Sequence, residues 1–124
     1  MNPMTLLLRQ AHPAFMGADL PTSQVFMPGS GDEGKLSVYD GDQISAKNSH
    51  AHYTQVLNLQ SHSVWGLTCS EVEAEGVPAK PDPVPDFPSH AIIDFSDKSD
   101  KESRRIAKRL KSLAIARRCQ YLPC

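Results

Sequence analysis

Apolar and polar positions along this chain follow two periods in turn, two residues for strands and between three and four for helices. "TLLLRQAHPAF" opens with a leucine run that suits a strand or a short helix, and Pro13 confines His12 to extended or turn geometry. Gln24–Met27 reads as a strand. "PGSGDEG" reads as an exposed turn or loop, because glycine supplies positive φ angles and aspartate bonds its own backbone. In "KLSVYDGD", Leu36 and Val38 alternate with Ser37 and Tyr39 up to an Asp-Gly pair, the pattern of a strand entering a turn. "ISAKNSHAHYTQVL" is predicted as a short helix with Ser45 as its N-cap and a poor apolar face. "SVWGLT" is a short strand. Thr68 and Glu71 then make a capping-box pattern for a short acidic helix over Cys69–Glu75, with Gly76 as its stop.

In "VPAKPDPVPDFP" five prolines fall between Pro78 and Pro88. They forbid a helix and admit a strand only at a sheet edge, so 77–88 is expected to run extended across the surface or to act as a linker. "SHAIIDF" is a strand bounded by Pro88 and Ser96. The segment from about Ser99 to Arg118 is predicted as a long helix. Ser99 and Glu102 form a second capping box, Ile106, Leu110 and Leu113 recur at helical spacing, and Ala107 and Ala114 widen that stripe. "CQYLPC" is expected to add a last strand before Pro123. No internal repeat is visible. Interleaved strands and helices in 124 residues predict one α+β domain over 1–124, a small sheet with the long C-terminal helix packed on it.

Charge changes this picture more than composition does. Residues 98–118 hold nine Lys/Arg against Asp100 and Glu102, a net of +7, whereas residues 1–97 hold four against twelve Asp/Glu, a net of −8. The overall charge of −1 conceals this division. A segregation of this kind fits an anionic partner, or a basic helix lying on an acidic body. Lys101, Arg104, Arg105, Lys108, Arg109 and Lys111 surround the apolar stripe on a helix about 30 Å long, and they are the candidate partner or nucleic-acid contacts. No aromatic residue interrupts them to stack on bases. No segment reaches the ~20 apolar residues of a spanning helix. Leu6–Leu8 is too short for the core of a signal peptide, and three cysteines do not suggest a secreted disulfide framework. These features predict a cytoplasmic protein with no membrane association.

The remaining chemistry is sparse. His50, His52 and His62 form H-x-H-x₉-H with Cys69 seven residues further on, and zinc favours such ligands. On a helix, however, residues two apart point away from each other, which argues against a shared ion. Cys119 and Cys124 form C-x₄-C beside Arg117 and Arg118, without a second pair. His12, His90 and Asp94 are the acid–base candidates. On one strand, His90 and Asp94 would share a face yet stand about 13 Å apart, at about 3.3 Å per residue. There is no nucleophile elbow, and "GSGDEG" lacks the lysine and helix of a phosphate loop, so no cofactor is implied.

In the wording and order of "LLRQAHPAF", "KLSVYDGDQIS" and "HAIIDFS", the chain resembles a group of small uncharacterised bacterial proteins that carry a basic helix near the end. The resemblance spans about Leu7 to Arg118, and the ending "RRCQYLPC" departs from the aromatic-rich ending of the group. It implies a bacterial, cytosolic setting and transfers no catalytic residue. Residues and resemblance together lead to a non-enzymatic accessory or interaction protein of a bacterial operon, with another protein as partner. The alternative is a small nucleic-acid-binding or toxin-like RNA- or DNA-acting protein that uses the basic helix.

Overall fold

The computed structural model describes residues 1–123, so Cys124 lies outside the described residues. The fold is α+β. Five strands, β1 (Leu6–Ala11), β4 (Lys35–Asp40), β5 (Ser63–Thr68), β6 (Ala79–Pro81) and β7 (His90–Asp94), form one sheet in the order β5-β1-β4-β7-β6. Every pairing is antiparallel. A two-stranded ribbon, β2 (Met16–Gly17) with β3 (Leu20–Pro21), stands apart. The helices are α1 (Ala46–Ala51), α2 (Cys69–Ala74) and α3 (Asp100–Arg117).

Strand alternation decides what each face buries. Leu7, Ala11, Leu36, Val38, Trp65, Leu67, Ala91 and Ile93 face the main core, where they meet Ile106, Ala107, Leu110 and Ala114 of α3 and Val72 of α2. The α3 stripe is thus spent on the sheet, as its spacing requires. The opposite face carries a smaller cluster of Leu8, Tyr39 and Val64, joined by Tyr53, Phe87 and Tyr121. Only short elements cover it. In α1, the Ser45 hydroxyl accepts from Asn48 N–H at 3.1 Å, and the chain then widens into a π-turn over His52–Val56.

Both capping boxes form. Thr68 Oγ1 accepts from Glu71 N–H at 3.2 Å while Glu71 accepts from Thr68 N–H at 2.8 Å, and Ser99 and Glu102 exchange the same pair at 3.1 Å. The proline-rich segment supplies β6, a three-residue edge strand, which is the only place in a sheet that tolerates its prolines. A Cβ at Gly41 would collide with the Leu6 carbonyl oxygen, which accepts from Gly41 N–H at 2.8 Å, so the turn after β4 demands glycine.

Two expectations change. Gln24–Met27 is not a strand: Ser23–Phe26 is a 3₁₀ turn. Thr22 N–H and hydroxyl both donate to Phe15 O, which tightens the chain, and consecutive Val25 and Phe26 are both buried, contrary to strand alternation. Among the described residues, the C-terminal segment adds no strand. Tyr121 makes an isolated bridge to Val64, covering the outer edge of β5 before Pro123, which has no N–H to extend the pairing.

Candidate functional site

The outer face of α3 is built by elimination. Ser103, Ile106, Ala107, Leu110 and Ala114 are buried, which turns Lys101, Arg104, Arg105, Lys108 and Arg109 to solvent, with Lys111 partly covered at the border. The first four lie at helical spacings of three and four on one face, within about two turns of the helix. Two cations are neutralised by α2. Arg109 pairs with Glu75, and Arg117 reaches Glu71 at 2.7 Å from Nη1 and 3.2 Å from Nη2. Among the described residues, no carboxylate lies within 4.0 Å of Lys101, Arg104, Arg105, Lys108 or Lys111. The acidic body therefore answers only the border of the basic face, and its centre stays unmatched.

Burial pushes the Glu71 carboxyl up, but hydrogen bonds from Arg117 and Thr68 outweigh it and hold Glu71 below its ordinary value. Glu71 and Glu75 were not among the sequence candidates. Their one-turn spacing on the acidic helix was the signal, since it sets two carboxylates on one side.

The acid–base candidates do not come together. His12 caps the 3₁₀ turn Pro13–Phe15, its Nδ1 accepting from Ala14 N–H at 3.0 Å. His90 contacts Ser37 Oγ through Nε2 at 3.1 Å and the Asp82 carbonyl through Nδ1 at 2.9 Å. Asp94 pairs with Lys80 at 2.8 Å and accepts from Ser96 N–H, which holds its carboxyl well below the usual range. Each of the three is thus occupied by its own local partners.

The metal candidates are also dispersed. His50 Nε2 lies 3.1 Å from Ser61 O, His52 Nδ1 2.7 Å from Tyr39 Oη, and His62 Nδ1 2.9 Å from Ser63 Oγ. Cys69 is buried at the start of α2, and burial pushes its thiol up, away from the thiolate a metal requires. Among the described residues, no group of three or more His, Cys, Asp or Glu could hold a metal ion. Cys119 Sγ points to Tyr121 O and Val64 O, at 3.2 and 3.6 Å. No helix among the described residues is long and apolar enough to cross a membrane.

No protein-family model, curated protein or solved structure matches the chain.

Proposed function

We propose that this chain is a non-enzymatic accessory protein of a bacterial operon, one that binds an acidic patch on a partner protein through the outer face of α3. One observation carries the reading: Lys101, Arg104, Arg105 and Lys108 are exposed on one helix face with no carboxylate within 4.0 Å among the described residues, Glu102 attracting Arg105 only from further off. The dispersal of His12, His90 and Asp94 among local hydrogen bonds supports a binding role over catalysis.

A protein partner suits the charge pattern better than nucleic acid does. The whole chain is close to neutral, and the net −8 of residues 1–97 opposes a long polyanion that extends beyond the helix. A localised acidic patch meets only the positive face, where complementarity sets orientation and association rate. The exposed face also carries no aromatic residue on which bases could stack.

The test is a co-purification from a bacterial lysate at 50 and 500 mM salt, followed by reconstitution with the recovered protein and titration calorimetry. Wild type is expected to bind an acidic protein at low salt and to lose it at high salt. A variant with Lys101, Arg104, Arg105 and Lys108 changed to Gln is expected to bind at least ~10-fold more weakly. Unchanged binding by that variant overturns the reading. A gel shift with duplex DNA or RNA at 50 mM salt that is abolished in the variant would instead establish the nucleic-acid alternative.

A further inference from the structure

A cavity of about 270 Å³ opens where β1 and β4 part, lined by Leu8, Tyr39, Tyr53 and Phe87 of the smaller cluster together with Arg9 and Val38 on the side of the main core. Its size approaches the lower end of the roughly 300–1,000 Å³ typical of small-molecule sites. It exists because β1 and β4 pair only briefly. Their ladder runs through Leu7–Asp40 and Leu8–Tyr39 and no further. Arg9 enters the opening: Nε donates to Val25 O at 2.7 Å and Nη1 to Ser37 O at 2.9 Å.

Arg9 is held only by carbonyls, and among the described residues no carboxylate lies within 4.0 Å of it. Burial pulls its guanidinium below its ordinary value, against the pull of Tyr53 and Asp32. Arg9 is half-buried, and although Asp32 attracts it across the same cavity the two form no ion pair, which leaves part of the guanidinium open to an anion from outside. The other polar groups around the cavity are mostly committed. Gln10 spends its amide on Ser49 and Ser61, Tyr39 its hydroxyl on His52, and Ser37 its hydroxyl on His90. Two donors that line the cavity have no protein acceptor among the described residues, Nη2 of Arg9 and the Tyr53 hydroxyl. Neither is sealed away, since no buried side-chain N or O there lacks a partner.

The apolar part of the lining is Leu8, Val38, Tyr39 and Phe87, with the half-exposed Leu57 and Leu59. The rings of Tyr39 and Phe87 stand 4.9 Å apart at 38°, and His52 and His90 extend the same aromatic cluster. Asp32 also lines the cavity, with Oδ2 accepting from Gly29 N–H at 2.7 Å. Its charge repels any anion placed on Arg9, and a dianion more strongly than a monoanion, which favours a carboxylate over a phosphate.

We propose that this cavity binds a small monocarboxylate with a flat apolar body, its carboxylate on Arg9 and Tyr53 and its body between Phe87, Tyr39 and the two half-exposed leucines. This is a site separate from the α3 face and stands whether or not that face binds a protein.

The test titrates the full chain with sodium benzoate and with phenylacetate, following backbone amide resonances by NMR, with benzyl alcohol and inorganic phosphate as comparisons. Saturable shifts are expected at Arg9, Tyr39, Tyr53 and Phe87 with both carboxylates. The alcohol is expected to bind at least ~10-fold more weakly, because it forms no charge-assisted hydrogen bond. Arg9→Gln removes the charge but also two backbone ties, so Tyr53→Phe provides the second variant. It should keep the spectrum of a folded protein and weaken benzoate several-fold. The assignment is overturned by an absence of shifts at these residues, by equal affinity for alcohol or phosphate, or by unchanged benzoate binding in folded Tyr53→Phe.

Discussion

Glu71 joins three pieces of the molecule through one carboxylate. It closes the capping box on Thr68 and receives two hydrogen bonds from Arg117 at the far end of α3. Glu71 and Arg117 are both mostly buried, with side-chain exposures of 22% and 29%, so the pair is sheltered from full solvent screening. Glu71→Gln should destabilise the protein by about 1–2 kcal/mol near neutral pH, through loss of a charge-assisted pair. The pH dependence has a fixed sign. The folded-state pKa of Glu71 lies below its ordinary 4.5, so the stabilisation is complete above that value and fades as pH falls through the folded pKa. Thermal denaturation of wild type and Glu71→Gln between about pH 7 and pH 3 should show two curves that converge only below about pH 4.5. A constant gap down to pH 3 would contradict the ion-pair account. At this scale the sequence was informative where chemistry is local. The hydroxyl–carboxylate reciprocity of Thr68 with Glu71 and of Ser99 with Glu102 is written in a spacing of three. The Glu71–Arg117 pair spans 46 residues, and nothing local announces it.

Among the elements, α3 shows how local and tertiary terms divide the stability of one helix. Ser99→Ala removes the N-cap acceptor and should cost about 1 kcal/mol. Leu110 is fully buried against the sheet, and Leu110→Ala should cost about 2–5 kcal/mol through lost transfer energy and the residual cavity. Urea denaturation of the two variants checks the order, and a larger loss for Ser99→Ala would mean that α3 is not seated on the core as described. The same distinction explains which elements could be read in advance. β4 and α3 carry periodic buried positions, whereas β5 and β7 are short apolar runs between turn signals, buried without alternation, and these patterns identified them. Ser23–Phe26 misleads because its apolar residues are buried by α3 rather than by strand neighbours. Arg9 and Tyr53 escaped notice for a related reason. A lone arginine inside an apolar strand and a tyrosine in a weakly amphipathic helix acquire meaning only where the β1–β4 ladder ends.

For the molecule as a whole, the division of charge is only partly neutralised by folding. If α3 were basic merely to balance the acidic body, its cations would lie where α2 and the loops present carboxylates, as Arg109 and Arg117 do. Instead Lys101, Arg104, Arg105 and Lys108 face solvent together, in like-charge pairs at helical spacings that cost about 0.2–0.5 kcal/mol each, offset in part by Glu102 beside Arg105. Such a face is not arranged for stability. Changing those four residues to Gln, which has nearly the same helix propensity, should therefore leave the melting temperature unchanged or raise it. The gain should be largest in 10 mM salt and vanish in 500 mM, where screening already removes the repulsion. Arg117→Gln should lower the melting temperature in both conditions, because its partner is partly buried. A calorimetric series of these variants at the two salt concentrations separates the alternatives. A clear loss of stability in the fourfold variant would mean that the outer cations already have partners within the fold. Neutral or improved stability, joined to loss of partner binding, would show that the face is maintained for something outside it.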